Sequence, residues 1–453
     1  MTSPHGRSHA VVVGASIAGL LAARVLADTY DHVTLVERDD LEGDPGTRRG
    51  VPHARQPHAL LSRGLSVMQQ LYPDVLADFR HAGALTGDMT DASRLALGRD
   101  RLTRYKSGLT ILFASRALIE QCLRRRTLAL PNVTLLDHVR FRGHHLDHAR
   151  LRVVGIEIER PQQETDVLTA DLVVDATGRG STTPAWLERH WGERPKETRI
   201  DIKVTYTSRF YRRLPQHLGG DLGLGSLPQQ PQERRTAACT AVEGDRWHFG
   251  LAGSLGDHAP PTDAGFLAFA RSLNYPDVAE FLATLEPVSD FEVHKYPASV
   301  RRHYERMRLP VGLLVIGDAL CSFNPTYGQG MTVAALEAQV LSDALEHTTT
   351  AEQLQRRYFR NAARVVALPW SMVSGGDGSY PELRQHQTIT SRLATRYFNL
   401  IQHAMKHDGV VLATFFAVMH MALPPSALFK PTFVLRLLRH RARPHHTSTA
   451  PAT

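Results

Sequence analysis

The sequence predicts a mixed α/β (α+β) protein: a parallel sheet flanked by helices, an antiparallel sheet inserted into it, and a helical C-terminal part. Three observations carry this reading. Residues 10–14, 171–175 and 313–317 read AVVVG, DLVVD and LLVIG. Each is an apolar run without alternation, as in a parallel strand buried on both faces. Residues 181–300 instead hold alternating stretches between loops rich in Gly, Pro and Gln, the habit of antiparallel sheet. From about residue 352 the pattern is mostly helical.

Taken in order, the first run leads into Gly14-Ala-Ser-Ile-Ala-Gly19, then a helical pattern to Asp28 and a second strand at 32–37, HVTLVE. This is a β-α-β unit with a glycine turn. Residues 39–58 are polar and rich in Gly, Pro and Arg, and read as loop. Residues 60–79 read as one helix, with Leu61, Leu65, Met68, Leu71 and Val75 on a face. A second helix is expected over 115–130, and short strands over 133–135 and 151–158. Strands at 202–210 and 246–251 belong to the inserted sheet, and residues 331–345 form a helix after the third apolar run. No internal repeat is present.

Composition bounds the function. Of 453 residues, 42% are apolar and 22% charged, which excludes a mostly disordered chain. The net charge is +8, and only six of the 53 basic residues are Lys. Such a balance suits nucleic acid, an anionic membrane or a phosphate-bearing ligand, beside the plain reading of a solvated Arg-rich surface. No nucleic-acid motif occurs, so no nucleic-acid partner is expected. Cys122, Cys239 and Cys321 are far apart and form no CxxC, so neither a disulfide framework nor a metal site is expected. The polar start is no secretory signal, and no apolar run reaches the ~20 residues of a membrane span. A soluble cytoplasmic protein is expected. Residues 410–423 are strongly apolar and precede Lys430, Arg436, Arg439, Arg441 and Arg443. This mixture suits peripheral membrane contact or a cover over an apolar channel, against the plainer reading of a buried helix and a solvated tail.

Two motifs carry chemistry. In the glycine turn, Gly14 permits the tight bend and Gly19 permits close helix–strand packing, with Ser16 at the middle position. The N–H groups around Ser16, Ile17 and Ala18 open a helix whose dipole favours a pyrophosphate. Glu37 ends the second strand, where a carboxylate can accept from an adenosine ribose. The unit is therefore Rossmann-like. The second motif is residues 313–331, LLVIGDALCSFNPTYGQGM. Asp318 at the strand end could bond a ribityl hydroxyl, and the helix N-terminus at Gly328, Gly330 and Met331 could face a flavin's pyrimidine edge.

With Glu37-Arg38, Gly317-Asp-Ala319 and Asn324-Pro-Thr-Tyr-Gly-Gln-Gly-Met331, the chain resembles FAD-dependent monooxygenases of the para-hydroxybenzoate hydroxylase fold over roughly residues 10–345. Asp175-Ala-Thr-Gly-Arg-Gly-Ser181, Arg48-Arg-Gly-Val-Pro52 and His58 look most like squalene epoxidase and bacterial epoxidases of polyether-type polyenes. The resemblance implies that Arg116 contacts FAD, and that Arg48, Arg49 and His58 sit beside the ring system or the diphosphate. Thr177-Gly178 replaces the hydroxylases' Asp-Gly pair, the halogenase tryptophan signature is absent with Trp247-His-Phe its nearest approach, and the signature of prenyl-chain reductases is not evident.

What the resemblance implies is an FAD-borne reaction: a C4a-hydroperoxyflavin passes one oxygen atom of O2 to a large apolar small molecule, by epoxidation or hydroxylation. Substrates of that class are polyenes, terpenoids and aromatic polyketides, in specialised metabolism such as antibiotic biosynthesis. Electrons would come from NAD(P)H or a separate flavin reductase. The alternatives are a flavin-dependent reductase of prenyl-chain double bonds and a non-catalytic FAD-binding protein. No protein nucleophile is needed; His58, Tyr327 and Gln329 are the candidate contributors. The expected division is 1–60, 105–180 and 296–345 for the FAD-binding domain, 61–104 and 181–295 for the substrate domain, 346–440 for a helical region and 441–453 for a disordered tail.

Overall fold

The computed structural model describes residues 7–41, 48–149, 151–162, 164–383 and 389–441. The expected tail lies outside the described residues from position 442 onward.

The elements that frame the site are, in chain order, β1 (His9–Val13), α1 (Ile17–Ala27), β2 (His32–Val36), β3 (Ser93–Leu97), β4 (Asp100–Arg101), α2 (Arg116–Leu128), β5 (Val133–Leu136), β6 (Leu172–Asp175), β7 (Val204–Arg212), β8 (Gly223–Leu227), β9 (Arg235–Val242), β10 (Arg246–Gly253), β11 (Glu292–Tyr296), β12 (Leu313–Val315), α3 (Gly330–Glu346), α4 (Ala351–Asp377), α5 (Ile389–Met405), α6 (Gly409–Met419) and α7 (Pro431–Arg441).

The apolar runs form a five-stranded parallel sheet in the order β12-β6-β1-β2-β5. Ala10, Val11 and Val12 are fully buried because both faces are covered. One cover is α1, whose sequence IAGLLAARVLA is apolar nearly all round. Leu20, Leu21, Ala22 and Ala23 have no exposure, and each Leu contributes roughly 1.5–3 kcal/mol of burial. The helix α2 starts where its cap is available: the Ser115 hydroxyl accepts from Leu118 N at 3.1 Å.

A seven-stranded sheet, order β11-β7-β10-β9-β8-β3-β4, forms the second layer. It is antiparallel except where β3 joins β8 in parallel. Alternation along β10 is plain: Trp247, Phe249 and Leu251 enter a core with Phe266 and Phe269, while His248, Gly250 and Ala252 face the other way. A Cβ on Gly250 would lie 2.7 Å from the Pro57 ring, so the loop before Leu60 presses directly on this strand.

One expectation is corrected. Residues 60–79 are two helices, Ser62–Leu71 and Val75–His81. Pro73 cannot continue a helix and Asp74 adopts φ 65°, so the chain breaks there. The apolar stretch at 410–423 becomes α6, capped by Asp408, which accepts from Val410 N and Val411 N. Val411, Leu412, Phe415 and Phe416 pack with Leu95 and Leu97 in one apolar cluster, so this helix covers a sheet, as the buried-helix reading expects. Among the described residues no helix is long and apolar enough to cross a membrane.

Candidate active site

A cavity of about 1150 Å³ runs from the C-terminal ends of β1 and β2 to the face of the large sheet. Ligands in α/β folds bind outside the carboxyl ends of such strands. Of the expected site residues, Gly14, Ser16, Ile17, Ala18, Glu37, Arg38, Arg48, Arg49, His58, Arg116, Asp318, Tyr327, Gly328, Gly330 and Met331 line it. Residues scattered over more than three hundred positions of sequence thus converge.

Close packing shapes the dinucleotide end. Gly14 has φ +103°, and a Cβ there would stand 2.5 Å from the Ala176 carbonyl oxygen. Gly19 does not line the cavity. A Cβ on it would lie 1.7 Å from the Gly14 carbonyl oxygen, so its absence lets the turn close onto the helix. The first-turn N–H groups of α1 have no intrahelical acceptors.

Below the turn lies a buried charge network. The Glu37 carboxylate accepts from Ala15 N at 2.9 Å, Arg38 N at 2.9 Å and Asp39 N at 3.1 Å. Arg48 adds a fourth bond, from Nη2 at 2.7 Å. Glu37, expected to accept from an adenosine ribose, lines the cavity with these four bonds in place. Arg48, expected beside the diphosphate, is 6% exposed and is also ion-paired with Glu120, while Arg49 is exposed at the cavity mouth. Arg116 donates to Glu120 at 2.9 Å and to the Ser16 hydroxyl at 2.9 Å. Burial disfavours the Glu120 carboxylate, yet Arg116 and Arg48 together hold its pKa below the ordinary value.

The Asp318 end differs. Among the described residues no hydrogen bond reaches the Asp318 carboxylate. Burial raises its pKa, against the pull of Arg116, Arg179 and Arg302. The corner that carries it is held from below: Gly317 N donates to Glu337 Oε2 at 2.6 Å, and Arg302 donates to Ala319 O at 2.8 Å. Gly328 has φ +68°, and a Cβ on Gly330 would meet nothing within 4 Å, so bare backbone borders open space at the start of α3. This is how a site for a large planar ligand is built.

Three imidazoles share one wall. The rings of His53 and His58 lie 6.2 Å apart, as do those of His53 and His294. Burial first, then Arg116, lowers His58 to about 4 and His53 well below the ordinary value. His58 Nδ1 lies 2.7 Å from the Gln56 carbonyl oxygen, which can only accept, so Nδ1 carries the proton and Nε2 the lone pair. Arg179 stacks 4.8 Å above the Tyr296 ring on the same wall. His53, His294 and Arg179 were not nominated from sequence, where 24 His and many Arg look alike.

Gln329, expected as a contributor, does not line the cavity. Its amide turns away, donating to Met419 O at 3.0 Å and Met372 Sδ at 3.5 Å. These partners lie on α4 and α6. Tyr327 lines the cavity, and its hydroxyl donates to Asp377 at 3.1 Å.

Comparison with known proteins decides the family. Residues 10–197 match the FAD dependent oxidoreductases. Protein Rv3254 of Mycobacterium tuberculosis is 35% identical over 401 residues, 83% of this chain and 81% of that one.

The chain belongs to the FAD-dependent oxidoreductases.

Kynurenine 3-monooxygenase of Xanthomonas axonopodis pv. citri is 25% identical over 362 residues, 76% of this chain and 73% of its own. Among solved structures, the tetrameric form of 2-methyl-3-hydroxypyridine-5-carboxylic acid oxygenase shares the fold with TM-score 0.61 and 19% identity over 86% of this chain and 96% of that one. As an FAD-dependent oxidoreductase, this enzyme takes FAD as its cofactor. The residues present suit FAD: a glycine turn with free first-turn N–H groups, an unengaged Asp318 carboxylate, and open backbone at Gly328 and Gly330.

Proposed function

We propose that this enzyme is a monooxygenase that places one oxygen atom of O2 into a large apolar small molecule, by epoxidation or hydroxylation. The observation that carries the reading is the continuity of the cavity. Past Asp318 and Tyr327 it opens onto Met89, Leu95, Ile111, Phe113 and Leu227, an apolar chamber on the large sheet. Reduced FAD activates O2 and supplies the oxygen atom when bound. The residues of this chain do the rest. Ser16, Ile17, Ala18 and Arg116 hold the diphosphate, and Asp318 holds a ribityl hydroxyl. The N-terminus of α3 at Gly330 and Met331 stabilises negative charge beside it. The leucines exclude water and hold an apolar substrate. Hydroxylation of a phenol also needs a proton acceptor, and the bare Nε2 of His58 offers one.

The division into FAD-binding segments 1–60, 105–180 and 296–345, and substrate segments 61–104 and 181–295, belongs to this proposal. So do NAD(P)H or a flavin reductase as electron source, and membrane contact through Phe429, Leu435 and Leu438, which are exposed near Lys430 and Arg439.

Product analysis under 18O2 tests the proposal, with polyene, terpenoid and aromatic candidates and an NAD(P)H source, with and without a flavin reductase. One labelled oxygen per product is expected. A reduced, unlabelled product formed without O2 would sink the monooxygenase reading in favour of a reductase.

A further inference from the structure

The end of α4 reads Ser374-Gly-Gly-Asp377-Gly-Ser-Tyr380, a stretch that neither the fold nor the cofactor motifs account for. It reaches the loop that precedes α3. Asp377 is fully buried, and its carboxylate accepts from three side chains on two segments. Asn324 Nδ2 donates to Oδ2 at 3.0 Å and to Oδ1 at 3.2 Å. The Tyr327 hydroxyl donates at 3.1 Å, and Gln230 Nε2 at 3.4 Å. Asn324 in turn shapes its own loop: Oδ1 accepts from Thr326 N at 3.2 Å, Thr326 Oγ1 at 2.8 Å and the Tyr206 hydroxyl at 2.9 Å.

A second observation agrees. A Cβ on Gly376 would lie 2.1 Å from the Tyr327 hydroxyl oxygen and 2.5 Å from Gln230 Oε1. The helix backbone therefore touches the tyrosine directly, and only glycine allows it. Asn324, Pro325, Thr326, Tyr327 and Gly328 all line the cavity just before α3.

We propose that Asp377 is a positioning residue of the active site, whose carboxylate holds the Asn324–Gly328 loop against the cofactor end of the cavity. The inference rests on the flavin reading of that cavity. Its physical content is a matched set of donors. Ionised Asp377 offers only acceptors, and it receives the amide N–H groups of Asn324 and Gln230 and the Tyr327 hydroxyl proton. Protonated, it has fewer acceptor sites for these donors, and the loop loses part of its anchor. Burial pushes the Asp377 carboxyl up to about 6, with the bonds from Asn324, Tyr327 and Gln230 pulling the other way. The ionisable groups around it are Tyr206 on β7, Tyr327 on the loop and Tyr380 beyond the helix end, with Arg234 stacked 5.9 Å from the Tyr380 ring. Among the described residues no ion pair reaches Asp377, so its charge depends on those hydrogen bonds.

The test uses the full chain loaded with FAD and follows the visible absorption and fluorescence of the bound flavin from about pH 5 to about pH 8. Wild type is expected to show a transition with its midpoint near pH 6. Asp377→Asn should abolish it. Tyr327→Phe removes one donor to the carboxylate and should raise the midpoint. Should Asp377→Asn fail to retain FAD, the Tyr327→Phe shift decides alone. A transition unchanged in both variants, or absent in wild type, overturns the inference while leaving the flavin site standing. A wild-type protein that cannot be loaded with FAD overturns both.

Discussion

Arg48 and Glu37 meet beneath the glycine turn, guanidinium Nη2 to carboxylate Oε2 at 2.7 Å, and both side chains are almost wholly out of water. Arg48 is also paired with Glu120, so it neutralises two buried carboxylates at once. Arg48→Ala should therefore cost about 3–5 kcal/mol, because it leaves uncompensated buried charge and not merely a lost contact. Urea denaturation near pH 7 measures it. The loss should shrink in acid as the Glu120 carboxylate protonates. A cost below about 1 kcal/mol would contradict the network.

Gly19→Ala is expected to break the turn. Its Cβ would collide with the Gly14 carbonyl oxygen at 1.7 Å, and that atom belongs to backbone that cannot rotate aside. Overpacking of this kind costs about 3 kcal/mol or more. The flavin-to-protein absorbance ratio after gel filtration should fall steeply. A variant holding one FAD per chain would count against the packing argument.

Asp318→Asn should separate binding from stability. Its carboxylate has no hydrogen bond from the described residues, and burial already disfavours its charge. The ligand-free variant should melt at the wild-type temperature or higher. Loss of a charge-assisted bond of about 1.5–3 kcal/mol should weaken FAD roughly 10–100-fold. Calorimetry and equilibrium dialysis together check this, and unchanged affinity would remove Asp318 from the cofactor contacts.

Glu337 makes stability depend on pH in an unusual direction. It is fully buried on α3, and burial raises its pKa to about 8, against the bond from Gly317 N. The folded state thus holds its proton more tightly than the unfolded chain. This contribution is complete below the unfolded value of about 4.3 and is lost as pH rises through about 8. Wild type should lose on the order of 2–4 kcal/mol between pH 6 and pH 9 from this group. Glu337→Gln should flatten that slope in chemical denaturation, and an identical slope would contradict it.

What the sequence made legible was local. A β-branched run, a glycine turn and a helix start are adjacent in the chain, so β1, α1, β2 and the Asp318 corner could be read directly. Partnerships between distant residues could not. Nothing near Asp377 announces Asn324 as its partner, because a Gly-Gly-Asp segment reads as an ordinary helix end. Gln329 and Tyr327 sit two positions apart in one polar loop, yet tertiary packing sends one to the C-terminal helices and the other into the cavity. The strand Ser93–Leu97 gave no alternating signal of its own strength, since it is defined by its parallel neighbour β8.

The order of the parallel sheet also sets a timetable. Val11 lies opposite Val173, and Val173 opposite Leu313, so the edge strand that completes the sheet is synthesised long after its centre. Pairings between such remote segments must close large loops before they gain anything, which makes folding slow. While β12 is still being translated, β6 stands as a bare, apolar edge of unpaired N–H and C=O groups, open to strand addition from another nascent chain. Chains terminated before residue 313 should accordingly aggregate, and expression of the whole enzyme should improve where chaperones shield the growing chain or elongation is slowed by cold.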